Sequence, residues 1–320
     1  MTTSSPVLWI IFNVSVVLLL VLDACVLSPR NREIKIRKAM ALTAFWVLLA
    51  VLFNIGIYLW LGPQRALEFL TGYLIEQSLS VDNLFVFLLI FSYFKVPPAY
   101  QHRVLLWGII GAQVMRAVFI LAGIALLKQF HWLMYVFGGF LAFSGFKLFF
   151  EKEKEVDPEK SFILRLFRRF FPVTKGYIGG AFGTMINGVW HATPLLLVLI
   201  SIETADIIFA IDSIPAVLAV TKDPFIAYSS NIFAILGLRA MYFALAGVMG
   251  FFHHLHYGLG VILVFVGIKM LIGHFVEVPI ILALGFIAVT IFISIITSLL
   301  FPKEKYAAQK KAADTFAGPH

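Results

Sequence analysis

Two stretches of this chain place carboxylates where a membrane-spanning sequence tolerates them least. The first, EQSLSVDNLFVF, carries Glu76, Asp82 and Asn83. The second, ETADIIFAIDSIPAV, carries Glu203, Asp206 and Asp212. Each lies within an apolar run long enough to cross a bilayer, where a charged side chain at the helix centre costs at least ~2.5–3.5 kcal/mol. Acids repeated in two related segments at that cost read as functional groups. With Asn83, Ser80 and Ser213 they make a set of hard oxygen donors, suited to Mg²⁺, Ca²⁺ or Mn²⁺ rather than copper or zinc. No HExxH pattern accompanies them, and Cys25 is the only cysteine, which excludes a thiolate cage and an intramolecular disulfide. His253, His254 and His256 cluster at a cytoplasmic edge, where interfacial packing is the expectation and a metal or pH-sensing role the alternative.

Glu203 and Asp206 are three residues apart and share a helix face. Asp212 lies six residues further on, about 120° around a regular helix, so one straight helix cannot aim all three at one point. A break is therefore expected at Asp212-Ser213-Ile214-Pro215, because Pro215 lacks an N–H and its ring crowds the carbonyl of Ile211. Freed carbonyls at membrane depth are tolerated where they line a cavity.

The acidic segments also head two matching units. Aligning Asp82 with Asp212 sets Glu76 on Asp206, and a buried arginine follows in each second helix, Arg116 and Arg239. A Gly-x-Lys closes each third helix, at Gly145–Lys147 and Gly267–Lys269, with arginine-to-lysine spacings of 31 and 30 residues. This predicts two three-helix repeats, about 66–150 and 193–275. An odd number of spans per unit inverts the second relative to the first, a secondary-transporter plan whose binding site lies between the repeats. Arg116 and Arg239 are expected beside the acids as charge-compensating or gating groups; the competing reading is ion pairs that only lock the bundle. Lys147 and Lys269 are expected to snorkel toward the interface, and Asp23 to be interfacial.

The elements that position these residues must be transmembrane helices. The chain is 61% hydrophobic and 13% charged, against about 45–50% and 25% for soluble domains. Nine spans are expected, near 6–27, 39–61, 66–94, 103–127, 130–150, 193–221, 227–251, 255–275 and 279–301. The fold class is an all-α polytopic bundle, one integral membrane domain over 1–302 followed by a tail at 303–320. The runs are continuously apolar, which excludes a transmembrane β-barrel. The first helix has no basic n-region and is expected to be retained rather than cleaved.

Of 25 basic residues, 18 fall in loops on one side, among them Arg30, Lys38, Arg103, Lys154 and Lys175. The positive-inside rule then puts the N-terminus outside and the C-terminus in the cytoplasm. The net charge of +8 is thereby a topology signal and no indication of nucleic-acid binding. Residues 151–192 form a cytoplasmic loop, within which the glycine-rich 177–191 reads as loop or re-entrant segment.

The segments EQSLSVDNLFVF, FKVPPAYQHRVLLWGIIGAQVMRA, ATPLLLVL, ETADIIFAIDSIPAV and SSNIFAILGLRAMY resemble the TerC family of integral membrane proteins, in its Alx-like branch. The resemblance covers about residues 5–302. It implies an inner-membrane protein linked to manganese export, with Glu76, Asp82, Glu203, Asp206 and Asp212 toward the ion and Asn83 beside them. It also implies ties to tellurite resistance, to metal loading of secreted enzymes and to membrane-protein insertion. The expectation is a non-enzymatic exporter of divalent cations, most of all Mn²⁺, with possible proton exchange and no tightly bound cofactor. The alternative is a scaffold that docks secretion or insertion machinery through its 151–176 loop. In this chain YIGGAFGTMINGVW is less polar than the family's usual loop before Ala192-Thr193-Pro194.

Overall fold

The computed structural model describes residues 5–23, 36–130, 132–150, 162–246, 255–273, 276 and 278–300. Outside the described part lie the Asp82 and His256 side chains, His253 and His254, the 151–161 stretch and the 303–320 tail. In chain order the helices are α1 (Pro6–Leu22), α2 (Ile36–Leu61), α3 (Pro63–Tyr93), α4 (Pro98–Gln129), α5 (Leu133–Leu148) and α6 (Phe162–Phe170). Strands β1 (Gly183–Ile186) and β2 (Val189–Ala192) follow. The chain continues with α7 (Pro194–Leu218), α8 (Pro224–Leu236), α9 (Leu238–Ala246), α10 (Leu255–Ile272) and α11 (Ile280–Leu300).

Helices α1, α3, α4, α7 and α8 all begin on proline. Its fixed φ suits the first helical position, and its missing N–H would have found no intrahelical partner there. At α8 the Asp223 side chain adds a cap, accepting from Phe225 N and Ile226 N at 2.9 and 3.2 Å. Six helices, counting α8 and α9 as one, are long and apolar enough to cross a membrane; three more apolar helices are shorter. These nine match the expected spans closely over the described residues.

The 177–191 stretch refines one expectation. Within the expected loop or re-entrant segment lies regular structure the sequence did not predict, a β-hairpin with Gly183 opposite Ala192 and Ile186 opposite Val189. Asn187 and Gly188, both at positive φ (51° and 78°), close it in two residues, the turn that suits the twist of paired strands. Four-residue strands cannot span a bilayer, so no tenth span arises there.

Packing sets a centre and a periphery. α3 and the α8–α9 rod are the most buried of the long helices, whereas α2 and α11 are the most exposed. α3 packs on α8, α7, α2 and α11; α4 packs on α7 and α8; α5 lies along α10. The α5–α10 contact is backbone against backbone. A Cβ on Gly138 would meet the Gly267 carbonyl, and one on Gly145 would meet the Gly260 carbonyl. Small residues at such seams let membrane helices approach closely. Aromatic rings fill the α1–α2–α3–α8 interior, with Phe53 and Phe233 at 4.5 Å and Phe12 edge-on to Phe225 at 5.3 Å.

The α8–α9 rod is interrupted by one residue at Gly237, which packs against Trp46 of α2. α7 is not interrupted. It runs through Pro215 and ends at Leu218, which corrects the expected helix break. The proline sits in the last turn, where its missing N–H costs one bond, to Ile211, and little helix remains beyond it to be redirected.

Candidate functional site

Glu76 lies near the middle of α3 with no exposed surface. Arg116 of α4, 3% exposed, donates to Glu76 Oε1 as a buried ion pair. Asn231 of α8 donates from Nδ2 to Glu76 Oε2 at 2.9 Å. The same guanidinium reaches Ser213 Oγ and Asn231 Oδ1, each at 3.4 Å. Four helices thus meet in one polar layer at the core of the bundle. A charge this deep is held by partners or not at all, since the cost of burying it unpaired is several kcal/mol.

The other polar groups lie to one side of that layer. From Glu76, α3 carries Ser80 about 6 Å toward the hairpin end of the bundle and Asn83 one turn beyond it. From Arg116, Gln113 lies about 4.5 Å toward the same end along α4. From Ser213, Asp206 and Glu203 lie two and three turns toward it along α7. Asp206 is buried, 4% exposed, and within electrostatic reach of Arg116. Glu203 is half-buried, and its carboxylate fills the space that Gly111 leaves on α4, where any Cβ would collide with both oxygens. Ser80 Oγ and Gln113 Nε2 are buried without a hydrogen-bond partner. Buried polar atoms are normally satisfied, so each orphan asks what it is kept for.

Of the residues singled out in the sequence, Glu76 and Arg116 pair directly, Asp206 lies within electrostatic reach of Arg116, and Glu203 lies against Gly111 of α4. Asn83 is buried on α3 and Asp212 is half-buried beside Ser213. Asp82 falls on α3 with its side chain outside the described part. Among the described residues no group of three His, Cys, Asp or Glu side chains converges closely enough to hold a metal ion. The tightest ligand for Glu76 is a guanidinium.

Arg239 corrects an expectation. Among the described side chains its acidic partner is Asp23, and it holds α1 onto α9, its Nη2 lying 2.5 Å from Asp23 Oδ2 and donating to the Asp23 carbonyl at 2.7 Å. Asp23 is correspondingly buried, 4% exposed. The physical reason is proximity of the C-terminal end of α1, whose free carbonyls and carboxylate suit a cation.

A second polar cluster, unforeseen in the sequence, joins α3 to α8 at the opposite end. Glu68 accepts from Arg65 at 2.8 Å and from the Thr221 hydroxyl at 2.6 Å; Arg65 also reaches Asp223 at 3.5 Å. Lys269, expected at the interface, is half-buried and senses Glu68. The Asp-Pro start of α8 was a readable cap signal; Glu68 carried none. Gln113 was likewise missed, because a single glutamine in an apolar helix stands out only once its amide proves to have no partner.

Residues 61–306 match the integral membrane protein TerC family. The chain belongs to that family. It is 49% identical over 311 residues, 97% of both chains, to an uncharacterised membrane protein of Myxococcus xanthus. It is 49% identical to a Salmonella typhi protein and 47% identical to an Escherichia coli K12 protein, each over 293 residues, 89% of this chain and 91% of theirs. Both carry the name Alx, a candidate membrane-bound redox modulator. No solved structure matches. This TerC protein is therefore a multi-pass helical membrane protein of Alx-like kind, with its buried carboxylates on α3 and α7 inside the matched region.

Proposed function

We propose that this TerC protein is a transporter, not an enzyme, and that it exports divalent cations, Mn²⁺ foremost, from the cytoplasm across an inner membrane. One observation carries the reading: Glu76, Asp206 and Glu203, on α3 and α7, lie along the stretch of α4 that carries Gly111 and Arg116, three carboxylates beside one buried arginine, while Arg239 is committed to Asp23 elsewhere. Such a group is short of positive charge, and a mobile cation supplies it. The donors are oxygens throughout, which favours Mn²⁺, Mg²⁺ or Ca²⁺ over softer metals. Mn²⁺ is the transported substrate here, with no tightly bound cofactor, the bilayer as surroundings and no nucleic-acid partner. The N-terminus is outside and the C-terminus cytoplasmic, as the basic loops require.

In this reading the polar groups on the hairpin side form a cytoplasmic half-path through Ser80, Asn83, Gln113, Glu203 and Asp206. The Glu76–Arg116–Asn231–Ser213 layer closes it. Expelling a divalent ion against an inside-negative potential costs about 4.6 kcal/mol per 100 mV, from ~2.3 per charge. Export therefore needs a coupled ion, and carboxylates that exchange protons for metal provide for proton exchange. The two-fold pattern of the packing supports inverted repeats. If Gly145 corresponds to Gly267 and Gly138 to Gly260, the contacts Gly138–Gly267 and Gly145–Gly260 are partner-exchanged copies of each other.

The test is Mn²⁺ flux into vesicles reconstituted with the protein, under an imposed proton gradient. Wild type is expected to move Mn²⁺ and Asp206→Asn to stop it at equal protein level. Wild-type protein that moves no divalent cation, or Asp206→Asn that matches wild type, would defeat the proposal.

A further inference from the structure

Residues 162–192 carry Arg165, Arg168, Arg169 and Lys175 but no aspartate or glutamate. α6 and the β1–β2 hairpin within them are welded by aromatic rings. Phe167 stacks on Phe171 at 4.8 Å, Phe171 meets Trp190 edge-on at 5.7 Å, and the Trp190 indole lies over Gly183, where any side chain would collide. α6 is seated through Leu164, which is buried. The outer surface of the unit is apolar: Phe170 is 69% exposed and Met185 64%, and Val189 and Trp190 are exposed beside them.

The height of this unit is fixed by the transmembrane helices. Tyr177 donates its hydroxyl to the carbonyl of Phe94, just past the end of α3, at 2.7 Å. Arg103, in the first turns of α4, donates to the Gly180 carbonyl at 2.7 Å. β2 ends at Ala192, two residues before α7 begins. The unit is thus held at the level of the helix ends, where the apolar interior of a bilayer gives way to headgroups.

We infer that α6 and the hairpin form an interfacial foot that docks on the anionic lipid headgroups of the protein's own bilayer, with Phe170, Met185, Val189 and Trp190 entering the headgroup–acyl boundary. Trp side chains and long apolar groups settle at that boundary, and arginine and lysine beside them attract acidic lipids. The charge pattern selects this occupant. A second copy would bring Arg169 and Lys175 against the same exposed cations, with no acid in 162–192 to pair them. A soluble acidic partner would satisfy the charges but leave the apolar tip in water.

The test uses the full-length chain with Cys25→Ser and Met185→Cys, labelled with an environment-sensitive fluorophore. It is placed in phosphatidylcholine nanodiscs with and without phosphatidylglycerol. Emission is expected to shift blue and rise about twofold with the anionic lipid. The gain should vanish in the added Arg169→Glu/Lys175→Glu variant, and should shrink at about 0.5 M salt, where surface charges are screened. Equal emission with and without phosphatidylglycerol overturns the inference. The salt arm needs no further substitution and decides the matter even if the charge-reversed variant misfolds.

Discussion

Glu76 and Arg116 illustrate what a single buried pair does in this bundle. Neither has access to water, and each is the main partner of the other. Removing one leaves the other charge stranded at a cost of about 3–5 kcal/mol, whereas removing both leaves neutral groups that the interior accepts. Arg116→Gln is thus expected to lower thermal stability sharply, and Glu76→Gln/Arg116→Gln to recover most of it without restoring Mn²⁺ flux. A thermal melt in detergent beside the flux assay reads both halves; a double variant as unstable as the single one would show that the pair is not the reason. Arg239→Gln belongs to a different category. It should loosen α1 just as Asp23→Asn does and leave Mn²⁺ affinity unchanged, checked by metal titration of protein that remains folded. Sequence alone revealed the acids, because a carboxylate in an apolar run is conspicuous whatever surrounds it. It could not assign the arginines, since Arg239 finds its partner 216 residues away. Nor could it expose Gln113, whose significance is a hydrogen bond it lacks.

Helices bring these residues to one place, and the seams between them carry the next expectations. At the α5–α10 seam a Cβ on Gly267 would meet the backbone of Ala142 and Gly138, which cannot rotate away. Gly267→Val should force the helices apart and cost about 1–3 kcal/mol, as overpacking does, seen as a lower melting temperature. The same change at Gly139, where nothing stands within reach of a Cβ, should be nearly silent. At the α4–α7 seam, Gly111→Ala should displace the Glu203 carboxylate and reduce Mn²⁺ flux with little loss of stability. Pro215→Ala now carries a modest expectation. With α7 already continuous, it should restore one backbone bond and change transport little, and a large rise in the transport KM would contradict that. Hydropathy delivered the spans because lipid demands about twenty apolar residues per crossing. The hairpin was only half legible: Asn187-Gly188 announced a turn, but four-residue strands are too short to display an alternating pattern. The uninterrupted α7 was illegible, because a proline's effect depends on how much helix follows it.

Across the whole molecule, packing sorts the described residues into two ends, and the proposed orientation rests on the charge carried at each. α6, the hairpin, Lys95, Arg103 and the starts of α4 and α7 gather at one end. Arg65, Lys128 and Lys222 stand at the other, where Lys128 and Lys222 line a cavity of about 560 Å³ with Trp132 and Tyr135. Because the chain alternates direction at each span, fixing the side of one loop fixes all others. In a Cys25→Ser background, Lys175→Cys and Lys222→Cys sit on exposed positions at the two ends. A membrane-impermeant maleimide added to intact cells should label Lys222→Cys and spare Lys175→Cys, and both should react once the membrane is opened. The reverse pattern would turn the whole bundle over. The half-path through Ser80, Gln113, Glu203 and Asp206 would then face outward, and the same carboxylates would serve uptake, a direction in which the membrane potential already drives a divalent ion.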